Sequence, residues 1–114
     1  MTHFDSSFDL ISKALDVAAL RHKVIANNLA NANVPGYRRL VVQFKRELER
    51  ALDQPGPIEL SVVEADDPPD ATGNNVSFDR ELAELQKNSL IFETFAQLAD
   101  LRVKALRAAI EGRV

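Results

Sequence analysis

The chain has 114 residues, enough for one domain (1–114), with no cysteine, a net charge of −3 and 46% apolar residues. Disulfides, thiolate metal sites and a cysteine nucleophile are excluded, and the negative charge argues against general nucleic-acid binding. No apolar run reaches the length of a membrane span, and the N-terminal sequence MTHFDSSFDLIS lacks the basic and apolar regions of a Sec signal peptide.

The first predicted element is an amphipathic helix over residues 6–34. Ser6 is expected to cap its start, and Pro35 and Gly36 are expected to end it, because proline disfavours helical geometry in the preceding residue. Apolar positions recur in alternating steps of three and four, the spacing of a heptad seam. Its eight positions are Phe8, Ile11, Leu15, Ala18, His22, Ile25, Leu29 and Ala32. For His22 we expect a structural role, since no second histidine lies at ligand spacing.

Residues 35–77 are predicted to form a short, irregular middle segment. Phe44, Leu48 and Leu52 recur every fourth residue and predict a short helix over 43–53. The alternation of Ile58, Leu60 and Val62 indicates one short strand. The remaining part of loop 54–77 is rich in proline and acidic residues, so we expect a solvated loop rather than a calcium site at Asp66, Asp67 and Asp70. The basic stretch 38–50 is expected to be a solvated face that also meets acidic surfaces of neighbours.

The last predicted element is a helix over residues 77–112, with Ser77 as its N-cap. Its seam positions are Phe78, Leu82, Leu85, Ser89, Phe92, Ala96, Ala99, Val103, Leu106 and Ile110. A second apolar stripe runs beside the seam through Ile91, Leu98, Leu101, Ala105 and Ala108. The two terminal seams can pair as an antiparallel hairpin, and the second stripe then needs further neighbours. The predicted fold class is therefore mainly α: two long terminal helices form a coiled-coil-like hairpin with a short irregular middle segment.

The end of the first helix has an unusual composition, ANNLANANVPGY over residues 26–37. Asparagine competes for backbone hydrogen bonds inside helices, so four asparagines within seven residues indicate a packing and turn device. The stretch resembles the motif A-N-N-L-A-N-x-x-T-P-G-Y of the flagellar rod and hook axial protein family, with Val34 replacing threonine. The matching positions are Asn27, Asn28, Leu29, Asn31, Pro35, Gly36 and Tyr37. A second stretch, NNVSFDRELAELQKN over residues 74–88, is similar to the segment that opens the C-terminal helix of the family's proximal-rod members.

The resemblance implies a structural subunit of the flagellar basal-body rod that self-assembles through its terminal helices into a hollow axial shaft. The implied partners are copies of itself, other rod proteins, basal-body adaptor and inner-membrane ring proteins, and the flagellar type III export gate. The implied location is the periplasmic rod, reached without a Sec signal, and Phe4-x-x-x-Phe8 fits the family's export-gate pattern while equally fitting plain core packing.

Seven of the apolar seam residues are the ones we expect to matter most for assembly. They are Leu15, Ile25, Leu82, Leu85, Phe92, Val103 and Leu106. The sequence contains no phosphate loop, nucleophile elbow or dinucleotide fingerprint, so we expect no enzyme activity, cofactor, metal, nucleic acid or small-molecule substrate. The alternative is a monomeric helical adaptor or coiled-coil regulatory protein.

Overall fold

The computed structural model describes residues 3–56 and 59–112, and for residues 3–6 the backbone only. The elements are α1 (His3–Ala30), β1 (Leu40–Val41), α2 (Phe44–Leu52), β2 (Val63–Glu64) and α3 (Phe78–Ile110). The molecule measures 64 × 25 × 15 Å and its radius of gyration is 17.8 Å, against about 13 Å for a globular domain of similar length. The predicted mainly helical hairpin with a short middle segment is confirmed.

The first helix starts and ends earlier than the sequence predicts. Helix α1 begins at His3, so Ser6 lies inside it, because no helix breaker separates the two positions. It ends at Ala30 rather than at residue 34, and residues 31–36 form turns. The side-chain amide of Asn74 binds the backbone carbonyls of Asn31 and Val34 at 2.9 and 2.8 Å. These contacts from the middle segment stabilise the turn, and they could not be inferred from local sequence.

The predicted short helix is found as α2, but the predicted strand is in the wrong place. Residues 59–62 are irregular, and Ile58 lies outside the described residues. The strand pairing is two residues long: Leu40 pairs with Glu64 and Val41 with Val63, in antiparallel orientation. A small apolar core holds this unit against α1, formed by Val17, Val24 and Val42 with four partly buried neighbours. These neighbours are Leu20, Leu40, Phe44 and Leu60.

Helix α3 packs against α1 with only part of its apolar seam, so the predicted pairing along the whole seam is wrong. The face of α3 next to α1 contains two fully buried polar residues one heptad apart, Glu81 and Asn88. Half-buried residues complete this face: Glu84, Leu85, Ile91, Phe95, Ala96 and Ala99. The polar line can face inward because α1 and the middle segment supply partners for its side chains, and most of the apolar seam consequently faces solvent.

The seam of α1 is closer to the prediction. Ile11, Ala18 and Ile25 are buried, and Phe8, Leu15, Leu29 and Ala32 are half-buried. His22 is exposed. A second line through Ala14, Val17 and Val24 is also buried, because α1 packs against α2 and β1 as well as α3.

Candidate assembly surface and the motif turn

The fully buried Asn28 joins α1 to the middle segment. Its side-chain amide donates to the carbonyl of Leu40 at 2.8 Å and accepts from the N–H of Leu40 at 3.0 Å. It therefore satisfies both backbone polar groups of one β1 residue, as a neighbouring strand would. It also accepts from the Tyr37 hydroxyl at 2.8 Å and donates to Glu81 at 3.3 Å. One side chain thus connects α1, β1, α3 and the motif's tyrosine.

Tyr37 and the remaining motif asparagines continue this network. The Tyr37 hydroxyl accepts from the Asn27 amide at 2.9 Å, and the Asn31 amide donates to the carbonyl of Asn27 at 2.8 Å. Burial, together with the negative charge of Glu81, raises the pKa of Tyr37 despite the hydrogen bond from Asn27. Its hydroxyl therefore stays protonated at neutral pH and can keep donating to Asn28.

The turn after α1 passes close to the loop before α3. Gly36 has φ +77° and Gly73 has φ +86°, and a Cβ atom on Gly73 would lie 3.4 Å from the Gly36 Cα. The Gly36 N–H donates to the carbonyl of Thr72 at 3.0 Å. Leu29 is half-buried, and Pro35 and Gly36 are exposed at the tip. The motif's proline and glycine thus lie where the chain reverses beside the start of α3.

Replacing Gly36 with valine should lower the free energy of unfolding by about 1 kcal/mol or more, because side chains with a Cβ are strained at positive φ. No atom lies within 4 Å of the position of an added Cβ, so the cost comes from backbone strain rather than a clash. Gly36→Asn is the matched control and should cost less, since asparagine tolerates the left-handed region. Urea denaturation measures both; equal stability of Gly36→Val and the wild type would contradict the expectation.

A buried ion-pair cluster lies beneath this turn. Arg39 is buried, and its guanidinium donates to Glu81 and, at 2.9 Å, to Asp67. Arg80 donates to the other oxygen of Asp67 at 2.7 Å. The Asn75 side chain accepts from the Arg39 backbone N–H and donates to the carbonyl of Asp67 at 3.0 Å. Asp67, predicted to be a solvated loop residue, instead binds Arg39 within the middle segment and joins that segment to Arg80 of α3.

The stability contributed by Asp67 should be lost in acid. Hydrogen bonds from Arg80 and Arg39 lower the pKa of Asp67 below its ordinary value of 3.8. Because the folded pKa is lower than the unfolded one, this stabilisation is complete above the unfolded pKa and disappears as pH falls through the folded pKa. Melting temperatures of Asp67→Asn should therefore lie below those of the wild type near neutral pH, and the gap should close in strong acid. Asp66→Asn, at the exposed neighbouring residue, is the control and should melt at the same temperature as the wild type. A difference in melting temperature between Asp67→Asn and the wild type that does not change with pH would contradict a stabilising role for the ionised Asp67 carboxylate.

Four further polar contacts hold the helices together. Arg21 of α1 donates to Glu84 of α3, and the Asn88 amide donates to the carbonyl of Ala18 at 2.8 Å. Lys13 is buried and donates to the carbonyls of Ala51 and Gln54 at the end of α2, both at 2.7 Å. Among the described residues, every buried side-chain nitrogen and oxygen has a hydrogen-bond partner. The subunit interior is therefore internally satisfied, although much of it is polar.

The apolar surface of α3 is exposed over most of its length. Exposed residues come from both predicted stripes, and Leu101 and Ile110 are 60% and 76% exposed. The others are Phe78, Leu82, Leu90, Phe92, Leu98, Val103 and Leu106. An array of this size on a chain of 114 residues is typical of an interaction surface. We call these nine residues together the α3 apolar face, although they lie on more than one side of the helix. They include six of the predicted seam positions: Phe78, Leu82, Phe92, Val103, Leu106 and Ile110.

The sequence-predicted residues therefore fall into two groups. The structure brings together the motif residues Asn27, Asn28, Asn31 and Tyr37, and it leaves most α3 seam residues in solvent. Leu15 and Ile25 lie in α1 and are half-buried and buried, and Leu85 of α3 is half-buried. Phe8 is half-buried, and the side chain of Phe4 lies outside the described residues.

Sequence reasoning missed several buried polar residues outside the motif. They are Arg39, Glu47, Asn74, Asn75, Glu81 and Asn88. The basic composition of 38–50 predicts a solvated face for Arg39, and the composition of loop 54–77 predicts solvated side chains for Asn74 and Asn75. The one available signal was the second motif stretch, which includes Asn74, Asn75, Glu81 and Asn88. Over the described residues, no group of three metal-ligating side chains is present, and no helix is both long and apolar enough to cross a membrane.

Comparison with known proteins agrees with both motifs. A family model described as flagella basal body rod protein matches residues 12–38. The flagellar basal body rod protein FlgB of Borrelia hermsii is 30% identical, with 97% of this chain and all of the relative covered. FlgB of Aquifex aeolicus is 32% identical, covering 92% of this chain and 93% of the relative. FlgB of Aeromonas hydrophila is 29% identical, covering 96% of each chain. With relatives of this similarity matched along nearly their whole length, the chain belongs to the FlgB family of flagellar basal body rod proteins, which are structural components of the motility apparatus.

Proposed function

We propose that this chain is a self-assembling subunit of the proximal flagellar rod, packed through its terminal helices around the hollow axial shaft. The α3 apolar face is the observation that carries the proposal, because the chain alone leaves nine large apolar side chains of one helix exposed. Burying such a surface stabilises an assembly at about 25 cal/mol per Å² of apolar area removed from water. Copies of this chain and other rod proteins are the proposed partners along the shaft. Adaptor and inner-membrane ring proteins are the proposed partners at its base.

The structure of the subunit supports a mechanical rather than a catalytic role. Its buried polar side chains join secondary-structure elements to each other. Asn28 connects α1, β1 and α3, and Lys13 binds the end of α2. Arg39 and Asp67 join the middle segment to α3. Such cross-links stiffen a subunit that must transmit torque along the rod. We accordingly propose no substrate and no cofactor.

The test of this function is incorporation into basal bodies. A strain lacking its own copy of the gene should regain swimming when it expresses this chain with an affinity tag, and the tagged chain should co-purify with basal bodies. The competing assignment, a monomeric helical adaptor, predicts a chain that stays monomeric and outside purified basal bodies. The adaptor assignment is favoured by the polar interior of the hairpin, in which every buried side-chain nitrogen and oxygen of the described residues has a hydrogen-bond partner. Absence of the tagged chain from basal bodies of swimming cells would contradict the rod assignment.

We further propose export through the flagellar type III apparatus, with Phe4-x-x-x-Phe8 as the element that the gate recognises. If so, Phe4→Ala should reduce the amount of chain secreted, because the gate loses one of two aromatic contacts, while cytoplasmic levels stay the same. Asp5→Ala, within the same segment, is the matched control. Secreted and cytoplasmic fractions are compared by immunoblot. Normal secretion of Phe4→Ala would leave this residue as ordinary helix packing.

A further inference from the structure

An open cleft of about 660 Å³ lies between α2, β1 and α3. It is strongly basic, although the chain as a whole carries a net charge of −3. Its acidic lining residues are Glu49 and Glu84, whereas six basic residues line it: Arg21, Arg39, Lys45, Arg46, Arg80 and Lys87. The charges of this chain are therefore separated in space, and the cleft is a concave positive surface.

The basic residues at one side of the cleft already have carboxylate partners. Arg39 and Arg80 both bind Asp67, and Arg21 binds Glu84. The other three are exposed, and within the described residues Arg46 and Lys87 make no ion pair. Lys45 lies 3.9 Å from Glu49, but both side chains are largely exposed, so that pair contributes little. The cleft thus keeps three cations that the subunit does not neutralise.

The complementary charge lies on the middle segment of the same chain. Residues 59–70 contain five acidic residues and no lysine or arginine. Glu64 and Asp66 are exposed and make no ion pair among the described residues. Asp67, the next acidic residue along the chain, already binds two arginines of the cleft, Arg39 and Arg80. Carboxylates of this segment are therefore suited to bind basic residues of the cleft.

A helical assembly requires two different and complementary patches on each subunit, because its contacts are heterologous rather than two-fold symmetric. We propose that Lys45, Arg46 and Lys87 of one copy bind Glu64 and Asp66 of a neighbouring copy. This inference rests on the proposed function, and it adds a specific charged contact outside the packed helices. The contact would fix the register between neighbours, since like charges meet in a wrong register.

Cysteine crosslinking tests the contact directly, because the chain has no cysteine of its own. Lys87→Cys and Asp66→Cys are introduced on separate copies that are co-expressed, and basal bodies are isolated and oxidised. A disulfide-linked dimer is expected from this pair. Arg107→Cys, at an exposed basic residue of α3 outside the cleft, should give no dimer with Asp66→Cys. No crosslink in basal bodies that contain both variants would overturn the proposal.

Charge reversal supplies the functional test. Lys45→Glu with Lys87→Glu, and separately Glu64→Lys with Asp66→Lys, should each lower incorporation into basal bodies by about tenfold or more. All four changes in one chain restore complementarity and the original net charge, so incorporation should recover. Normal incorporation of either reversed pair would overturn the charged contact and leave the rod assignment intact. Absence of the wild-type chain from basal bodies would instead refute the proposed function.

Discussion

Leu101→Asp should abolish incorporation into the rod while leaving the isolated chain about as stable as the wild type. Leu101 is 60% exposed on the α3 apolar face, so a carboxylate there remains solvated in the isolated subunit. Surface substitutions of this kind usually change the free energy of unfolding by less than about 0.5 kcal/mol. In the assembled rod the same carboxylate would be buried without a partner, which costs several kcal/mol and corresponds to a loss of roughly 100-fold or more in assembly.

The measurements are basal-body content by immunoblot and thermal unfolding of the purified chain. Leu101→Met is the matched control, because it keeps an apolar side chain of similar volume, and it should incorporate normally. Leu85→Asp is the informative contrast: Leu85 is half-buried against α1, so this change should lower both stability and incorporation. Normal incorporation of Leu101→Asp would show that this part of the α3 apolar face faces solvent in the rod as well.

Asn28→Ala should lower the free energy of unfolding by about 3 kcal/mol or more. The substitution removes the partner of both backbone groups of Leu40 and of the Tyr37 hydroxyl. A buried polar group left without its partner costs about 1–3 kcal/mol, so several losses at one site make a large effect. Asn28→Asp should be comparably harmful, because a carboxylate cannot donate to the Leu40 carbonyl and would face the carboxylate of Glu81.

The preceding residue provides the matched control for this substitution. Asn27 is exposed and donates one side-chain hydrogen bond, to the Tyr37 hydroxyl. Asn27→Ala should therefore cost less than about 1 kcal/mol. Urea denaturation compares the three variants, with the helical signal as the measure of folding. Similar stabilities of Asn27→Ala and Asn28→Ala would show that the buried network is not what ties the middle segment to α1.

The exposed apolar side chains of α3 and the polar contacts between α1 and α3 both result from the orientation of α3 about its own axis. The interface between α1 and α3 is built in part on Arg21, Glu81 and Asn88, so polar pairs fix the alignment of the two helices and leave much of the apolar surface of α3 exposed. The apolar area of α3 then remains available for neighbours. In the proposed rod, the charged cleft and the acidic middle segment would set the register between copies.

Local sequence signals determined the three helices of this protein, although not its short strand pair. The periodicity of α1 and α3, the N-cap at Ser77 and the short amphipathic helix α2 depend on residues within one or two turns of each other. The positive φ of Gly36 is likewise a local feature, because it depends on the turn that Pro35 begins. The motif over residues 26–37 also identified the family, because it concentrates residue types that few other helix ends would tolerate.

Only the tertiary structure decided which side of α3 faces inward and what each polar side chain binds. Helix α3 has two apolar stripes and one polar line, and periodicity favours an apolar stripe as the buried one. Glu81 can be buried because it binds Arg39, which is 42 residues away in sequence. Asn88 can be buried because it donates to the carbonyl of Ala18, which is 70 residues away. A polar residue can be buried only where its partner is present. Such partners come together through the fold of the whole chain, so no local pattern could have revealed them.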